Sequence, residues 1–317
     1  MKLVIAIGEG EAAFDELLGT IPGLEIVRVA TTADAIAEIG DADVFYGRPS
    51  DELVTAGINL KLIQAQSAGV DFVYKMPVLS ACSVPLANTR GAHAPSIAEH
   101  TFGLLLSMTR AIPISIGWQK TSEWHQMEGY RLPREIMGST MGIIGYGAIG
   151  RAIAQRAVGF GMNVIAVDVN AMMDAPHVSE VWGIDRLHDL MTQSDVVALA
   201  APYTKESHHL LDAAAFAAMR PGGYVIIVSR GGIVDEPALA DALRSGHIAG
   251  AGIDVFETEP LPETSPFWDL PNVVLTPHLA GSSTQKERRC VEILRENILR
   301  LQRGDTLINI VDKQAGY

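Results

Sequence analysis

The sequence has very little cysteine, since Cys82 and Cys290 are the only two in 317 residues. Two thiols that lie far apart in the chain provide neither a disulfide framework nor a cluster of metal ligands. We therefore expect reduced thiols, no metal site and a cytoplasmic protein.

Basic runs and long apolar runs are also missing. No cluster of Lys and Arg is present, and a formal net charge of -13 repels phosphate backbones, so nucleic acid is not an expected partner. No apolar stretch reaches the ~18 residues of a membrane span. The first residues place Glu9 and Glu11 directly after a short apolar run, unlike a signal peptide. A small molecule in solution is the expected partner.

The composition that remains is that of a folded globular protein, with 48% hydrophobic and 19% charged residues. A chain of this length exceeds what one hydrophobic core usually supports, so two domains are expected.

Short apolar, β-branched runs alternate with helical patterns in two series, and this alternation predicts two open α/β domains with parallel sheets. The runs of the first series are Leu3 to Ile7, Leu24 to Ala30, Val44 to Tyr46, Leu62 to Ala65 and Pro85 to Ala87; those of the second are Met141 to Ile144, Val164 to Val167, Val196 to Ala200, Tyr224 to Val228, Gly250 to Ile253 and Val273 to Leu275.

Two further segments have helical spacing. Pro95 to Ile112 lies between the two series, and Ser96 with Glu99 matches a capping box near its start. Thr284 with Glu287 matches a second capping box that opens a helix near the end of the chain. That last helix either returns to the first domain or packs on the second, and periodicity alone leaves both open.

A glycine turn after the first strand of the second series predicts a dinucleotide site. Gly145, Gly147 and Gly150 form GxGxxG between a buried strand, Met141 to Ile144, and a helix predicted over Arg151 to Phe160. That helix would turn Ile153, Ala154, Ala157 and Val158 to one side. Glycines permit the tight turn and the close approach of a pyrophosphate, which the backbone amides around Ala148 and Ile149 would meet.

Asp168 ends the next apolar run, 18 residues after Gly150, where a carboxylate can accept hydrogen bonds from the ribose hydroxyls of a dinucleotide. It would repel a 2′-phosphate. Because no Arg neighbours Asp168 in the sequence, NAD is predicted rather than NADP.

Two other glycine runs imitate this turn. Gly8 to Ala13 also follows a strand, but Glu9 and Glu11 would repel a pyrophosphate, and the following strand ends without an acid. Gly250 to Gly252 enters a strand instead of a helix, which is typical of close backbone packing.

Three ionisable residues follow strands of the second series, at the edge where open α/β sheets bind ligands. Arg230 follows Tyr224 to Val228, and its planar guanidinium suits a carboxylate. His278 follows Val273 to Leu275, and Glu259 lies in the segment after Gly250 to Ile253. A carboxylate beside an imidazole orients the ring and favours its protonated form, so His278 is a candidate acid and base. Other histidines, such as His208 and His209, are expected to be solvated.

At this point the sequence resembles the D-isomer-specific 2-hydroxyacid dehydrogenase family, which includes glyoxylate/hydroxypyruvate reductases, D-lactate dehydrogenases and phosphoglycerate dehydrogenases. The resemblance runs nearly end to end. It is carried by Ser67 to Asp71, Asn88 to Gly91, Ala98 to Thr101, the Gly145 turn, Arg230 to Glu236, Asp254 to Pro260 and Thr276 to His278.

The resemblance implies reduction of a small 2-oxo acid by NADH. Arg230 would bind the substrate carboxylate, His278 would protonate the carbonyl oxygen as hydride arrives, and Glu259 would hold His278. Backbone amides of Ala68 and Gly69 would bind the carboxylate. Contacts to the cofactor would come from Thr101, Gly145, Gly147, Ala148, Ile149, Gly150, Asp168, Ser229 and Asp254.

The resemblance also implies a doubly wound Rossmann NAD-binding domain, residues 95–283, inserted into a flavodoxin-like substrate domain made of residues 1–94 and 284–317. The last helix would then return to the substrate domain. A homodimer is expected, with the segment Trp118 to Trp124 near the partner subunit.

Other functions remain open on these residues. A non-catalytic, NAD(H)-sensing binding protein of the same fold, such as the C-terminal-binding corepressors, retains the same Arg, Glu and His. Formate dehydrogenases carry Gln where Glu259 stands, which counts against formate. The chain ends at Tyr317 without the regulatory domain common in phosphoglycerate dehydrogenases, and phosphite remains a possible substrate.

Overall fold

The computed structural model describes residues 1–6, 12–129, 131–173 and 175–314. The chain divides into two compact units, residues 1–93 with 283–317 and residues 94–282. Each boundary lies one residue from the predicted one.

The first unit has a five-stranded parallel sheet in the order β2-β1-β3-β4-β5, which is the flavodoxin order. The side chains of β3 are buried on both faces, as expected for a parallel sheet covered by helices. The strands are β1 Lys2–Ala6, β2 Glu25–Val29, β3 Val44–Gly47, β4 Leu62–Gln64 and β5 Leu86–Ala87. The helices that accompany them are α1 Ala12–Leu18, α2 Thr32–Glu38, α3 Asp51–Ala56 and α4 Pro77–Ala81, with a 3₁₀ turn at Asp71–Lys75. The predicted decoy run falls mostly at residues 8–11, outside the described residues.

The second unit has, within its described residues, an eight-stranded sheet in the order β13-β12-β11-β10-β6-β7-β9-β8. Its strands run parallel except β8, which pairs antiparallel to β9 at one edge. The strands are β6 Thr140–Ile144, β7 Asn163–Asp168, β8 Met172–Met173, β9 Glu180–Gly183, β10 Val196–Leu199, β11 Gly223–Ile227, β12 Ile248–Ile253 and β13 Val273–Leu275. With β6 as its first strand, this is the Rossmann order with one strand added at each edge, β13 beyond β12 and β8 beyond β9.

The helices of the second unit are α5 Ala94–Thr109, α6 Ile112–Thr121, α7 Gln126–Gly129, α8 Ala148–Gly159, α9 Leu187–Gln193, α10 Ala213–Ala218 and α11 Glu236–Arg244, with 3₁₀ turns at Ile184–Arg186 and Pro266–Asp269. Two core clusters show that both faces of the sheet are covered, by α5 and α8 on one face and by α9, α10 and α11 on the other. Helices α6 and α7 bury no residue. The two doubly wound parallel sheets that the sequence predicts are confirmed.

The second glycine decoy is a packing feature, as predicted. A Cβ at Gly252 would lie 2.7 Å from the Cβ of Leu104, and one at Gly250 would lie 3.1 Å from the sulfur of Met108. Both partners belong to α5, so the glycines of β12 let this helix lie directly on the sheet.

The last helix, α12 Lys286–Arg303, belongs to the first unit. Val291, Leu294 and Ile298 are fully buried, and they pack in one cluster with Leu3 and Ile5 of β1. The alternative that the sequence left open, packing on the second unit, is therefore wrong.

Both predicted capping boxes are wrong. Ser96 lies inside α5, where its hydroxyl donates to the carbonyl oxygen of Gly281, while Glu99 pairs with Arg156. At α12 the N–H of Lys286 is held by the hydroxyl of Ser283, one residue before the predicted Thr284. The S/T-x-x-E pattern is present in both places, but tertiary packing determines where the helix begins.

Two further details differ from the predictions. The strands β8 and β9 were not predicted, because they are short and border a turn-rich stretch. Val158, expected on the buried side of its helix with Ile153 and Ala157, is 48% exposed. No described helix is long and apolar enough to cross a lipid bilayer.

Candidate active site

The glycine turn begins where β6 ends. Gly145 has φ +91°, and a Cβ there would lie 2.6 Å from the backbone nitrogen of Ala201. A Cβ at Gly150 would collide with the carbonyl oxygen of Gly145. Gly147, by contrast, is exposed and has open space where a Cβ would be. Two glycines are thus required for packing, and the third leaves the surface free for a close ligand.

Helix α8 begins at Ala148, earlier than the predicted Arg151, so Gly150 lies in its first turn. Gly147 offers no side-chain cap, and the first helical bond runs from Arg151 N to Gly147 O at 3.0 Å. The amides of Ala148, Ile149 and Gly150 therefore have no partner within the helix, and they lie at its positive end. This end of α8 fits a pyrophosphate, and with it a dinucleotide.

Asp168 is the last residue of β7 and is tied to the turn. Its Oδ2 accepts a hydrogen bond from Tyr146 N at 2.7 Å, and its Oδ1 accepts one from Asn170 N at 3.0 Å. The carboxylate is thereby fixed beside the glycine turn, at the position that the sequence assigns to the ribose contact.

The buried side chain of Tyr146 holds the same turn in place. Its hydroxyl donates to the carbonyl oxygen of Pro176, and burial raises its pKa. The guanidinium of Arg151 lies 5.2 Å from the centre of the Tyr146 ring and donates to the sulfur of Met172. A cation therefore lies near this turn, although none adjoins Asp168 in the sequence.

His278 and Glu259 form a close pair. His278 Nδ1 and Glu259 Oε2 are 2.7 Å apart, and the side chains are 46% and 35% exposed. The second carboxylate oxygen of Glu259 accepts from Phe256 N at 3.0 Å, so the acid is held by its own loop. Since Nδ1 is engaged, Nε2 is the ring nitrogen that can exchange a proton with a substrate.

The backbone at His278 is unusual, with φ +51°, and it is held by Asp254. His278 N donates to Asp254 O at 2.8 Å. The buried carboxylate of Asp254 also accepts hydrogen bonds from the next two amides, those of Leu279 and Ala280, each at 3.0 Å. This residue at the end of β12 therefore shapes the loop that presents the imidazole.

Thr276 and His100 complete that arrangement. The hydroxyl of Thr276 donates to Asp254 at 2.5 Å, so the Nε2 of His100, 2.9 Å from the same hydroxyl oxygen, must donate to it.

Sequence reasoning placed Asp254 among the cofactor contacts and missed its role in the His278 loop. A buried Asp at a strand end was the only signal. Its contact with a cofactor stays a prediction.

Arg230 follows β11, the neighbour of β12, and one guanidinium nitrogen donates to Ser229 O at 2.8 Å. Ser229 is 6% exposed, and its hydroxyl has no hydrogen-bond partner among the described residues. A buried, unsatisfied hydroxyl beside Arg230 fits the predicted role of Ser229 as a contact to a bound group.

Thr101 is fully buried in α5, and its hydroxyl donates to Ile97 O at 2.8 Å. This is the ordinary back-bond of a helical threonine, which leaves the oxygen only as an acceptor. Its contact with the cofactor stays a prediction.

Ala68 and Gly69 lie in a loop of the first unit whose carbonyl groups are engaged. Asn88 donates to Ala68 O at 2.8 Å, and the hydroxyl of Ser67 donates to Gly69 O at 2.7 Å. The two backbone N–H groups make no hydrogen bond to a described residue. They are available to bind an anion, as predicted for a substrate carboxylate.

The expectation that His208 and His209 are simply solvated is wrong for His209. The two rings stack with centroids 3.9 Å apart, and His209 N donates to Gly232 O at 2.9 Å. The pair therefore packs against the loop that follows Arg230.

No group of three or more His, Cys, Asp or Glu side chains in the described part of the chain is arranged to hold a metal ion.

The Arg230, Glu259 and His278 segments follow β11, β12 and β13, which are adjacent and parallel, so they share one edge of the sheet with the glycine turn after β6. A Rossmann sheet that carries a dinucleotide turn and a paired imidazole at this edge is typical of a nicotinamide-dependent oxidoreductase.

Comparison with known proteins agrees with this class. A family model described as "D-isomer specific 2-hydroxyacid dehydrogenase, NAD binding domain" matches residues 102–280. The chain is 34% identical to a glyoxylate reductase of Thermofilum pendens over 83% of this chain and 78% of that protein. It is 30% identical to a D-3-phosphoglycerate dehydrogenase of Methanocaldococcus jannaschii over 94% of this chain, but it spans only 57% of that longer protein.

A solved structure gives the same result for the fold. The D-isomer specific 2-hydroxyacid dehydrogenase of Xanthobacter autotrophicus, in complex with NADPH and MES, has a TM-score of 0.84 and 30% identity, covering 100% of this chain and 99% of its own. The chain belongs to the D-isomer-specific 2-hydroxyacid dehydrogenase family, and it carries that family's NAD-binding domain.

Proposed function

We propose that this protein reduces a small 2-oxo acid, such as glyoxylate or hydroxypyruvate, to the D-2-hydroxy acid with NADH. The observation that carries the proposal is the 2.7 Å contact between His278 Nδ1 and Glu259 Oε2. It fixes the ring so that Nε2 delivers the proton that the carbonyl oxygen needs.

Other residues of the chain bind the substrate and hold His278. Arg230 binds the substrate carboxylate as a planar donor pair and steadies the carbonyl oxygen. In the first unit, the backbone amides of Ala68 and Gly69 are proposed as donors to a carboxylate. Glu259 holds His278 while it is charged and after it has given up its proton. When bound, the reduced nicotinamide supplies the hydride to the carbonyl carbon. Hydride and proton together convert the 2-oxo acid to the 2-hydroxy acid.

The test is NADH oxidation by the purified protein with a panel of 2-oxo acids, followed by chiral analysis of the product. We expect turnover of at least one small 2-oxo acid to the D-isomer. The panel includes a 3-phosphorylated acid, and phosphite with NAD as a separate arm. If none of the 2-oxo acids is reduced while NADH binds, the protein is a sensor of the cofactor and the proposal is wrong.

We also propose NAD(H) as the preferred cofactor, because Asp168 places a negative charge beside the glycine turn, where a 2′-phosphate would be repelled. Arg151, the cation near this turn, is engaged with the ring of Tyr146 and the sulfur of Met172. The relative from Xanthobacter autotrophicus, in contrast, is solved with NADPH.

A homodimer is proposed from the exposed apolar residues of the segment around α6. Ile112, Ile114 and Ile116 are each about half exposed, and Trp124 and Met127 are 88% and 78% exposed. Several exposed large apolar side chains in one short segment are typical of a protein interface. Sedimentation of the wild type should give the dimer mass, and Ile112→Glu with Ile116→Glu should give the monomer mass. A cytoplasmic location is proposed as well, because Cys82 and Cys290 are thiols that form no disulfide with each other.

A further inference from the structure

Glu236 lies close to the candidate catalytic pair without belonging to it. It is the first residue of α11 and stands six residues after Arg230. The helix does not need it as a cap, because Asp235 caps α11 by accepting a hydrogen bond from Ala238 N at 3.1 Å. The carboxylate of Glu236 instead accepts one from Glu257 N at 2.7 Å, across 21 residues of chain.

That bond fixes the loop that carries Glu259. The amide of Phe256 is held by Glu259, and the next amide, that of Glu257, is held by Glu236. The Phe256 carbonyl lies against Gly231, where a Cβ would collide with it. The peptide between Phe256 and Glu257 is therefore clamped on one side by the Arg230 loop and on the other by Glu236.

The surroundings of Glu236 are negatively charged and partly desolvated. Burial raises the pKa of Glu236, and the charges of Glu257 and Glu259 raise it further, whereas the Glu257 amide and His209 lower it. His209 Nε2 lies 3.8 Å from Glu257 Oε2. Arg230 and Glu236 line the same small cavity of about 10 Å³. The carboxylate of Glu236 thus lies within electrostatic reach of Glu259, the partner of His278.

We propose that Glu236 is a positioning residue for the His278–Glu259 pair: it holds the Glu259 loop in place and adds a negative charge behind Glu259 that favours protonated His278. The role in turnover rests on the proposed function. In the direction of reduction His278 must start protonated, so the charge of Glu236 extends activity towards higher pH. In the direction of oxidation His278 must start neutral, and the same charge opposes it.

The test separates the two contributions with two variants. Glu236→Gln keeps an acceptor oxygen for the Glu257 amide but removes the charge, and Glu236→Ala removes both. Asp241→Asn is the control, because Asp241 is an exposed acid of the same helix that pairs with Arg244. The first readout is the titration of the His278 imidazole by NMR in the protein without cofactor. Its signal among the nine histidines is identified by its loss in His278→Ala.

In Glu236→Gln the imidazole titration should move to lower pH by roughly 0.5 unit, the size of a partly screened charge effect. The high-pH limb of the kcat/KM profile for reduction should move to lower pH by the same amount. At lower pH, kcat should be retained. Glu236→Ala should show the same shift and lose about tenfold in kcat, because the loop is released. Asp241→Asn should leave both readouts unchanged.

An unchanged His278 titration in Glu236→Gln would overturn the inference, as would a pH profile identical to that of the wild type. Failure of the proposed function gives a different result. In that case the wild type itself reduces no 2-oxo acid, and the NMR titration still reports whether Glu236 acts on His278.

Discussion

At the scale of single residues, the candidate chemistry depends on which atoms the structure has already engaged. The Nδ1 of His278 is held by Glu259, so Nε2 is the ring nitrogen that the proposed function uses to transfer a proton. One oxygen of Asp168 holds Tyr146 N, and the other holds Asn170 N, yet each carboxylate oxygen has a second lone pair that can accept from a ribose hydroxyl. The proposed preference for NAD(H) thus depends on the charge of Asp168 more than on an empty hydrogen-bonding position.

Replacing that charge tests the cofactor preference. In Asp168→Asn the side chain can still accept the bond from Tyr146 N, but it no longer repels a 2′-phosphate. We expect the ratio of kcat/KM with NADPH to kcat/KM with NADH to rise about tenfold, or ~1.4 kcal/mol. Asp195→Asn is the matched control, because Asp195 holds Thr140 N at the opposite end of β6. A wild type that prefers NADPH contradicts the assignment.

At the scale of elements, the junction of β6 and α8 combines two demands on glycine. Gly145 and Gly150 let strand and helix pack closely, whereas Gly147 keeps the exposed surface of the turn free of a side chain. A sequence motif does not tell these roles apart, although the structure does.

The pair Gly147→Ala and Gly150→Ala separates fold from binding. The methyl group of Gly150→Ala meets the carbonyl oxygen of Gly145, so we expect a loss of about 1–3 kcal/mol in the free energy of unfolding. Gly147→Ala has room for its methyl group, so stability should stay within ~0.5 kcal/mol while NADH binding weakens at least about tenfold. Thermal unfolding and fluorescence titration with NADH measure the two effects. Equal NADH binding by Gly147→Ala and the wild type would show that no pyrophosphate approaches there.

Several elements could be predicted from the sequence because their signals are local. β6 and β13 are apolar runs bounded by glycine or proline, and Gly250 and Gly252 indicated close packing in β12, although not that its partner is α5. Helix starts were not predictable in the same way, since Ser96 satisfied the pattern but is held inside α5 by Gly281.

The candidate site, like the fold, could be predicted only in part. The positions of Arg230 and His278 after strands indicated a shared edge, and the family resemblance supplied their roles. The contributions of Asp254 and Glu236 depend on hydrogen bonds to the backbone of distant loops. No spacing in the sequence encodes those contacts.

At the scale of the whole molecule, the chain builds its first unit from both ends. The apolar face of α12 closes the core over β1, so residues before and after the second unit in the sequence fold together in the first unit. Stability of the first unit should therefore depend on residues near the end of the chain.

Leu294→Ala tests this dependence. Leu294 is fully buried in the α12 cluster, and its truncation should lower the free energy of unfolding by about 2–5 kcal/mol. Ile36→Ala, on the partly exposed face of α2 in the same unit, should cost less than about 1.5 kcal/mol. Denaturant unfolding monitored by circular dichroism compares the two. Equal losses for both variants would mean that α12 is not part of this core.

We propose that His278 delivers the proton during hydride transfer to a 2-oxo acid. The direct measurement is the single-turnover rate of NADH oxidation by glyoxylate or hydroxypyruvate, in the wild type and in His278→Ala, each with bound NADH. We expect that rate to fall about 10²–10⁴-fold in His278→Ala, with NADH affinity unchanged. A His278→Ala protein that oxidises NADH as fast as the wild type would contradict it.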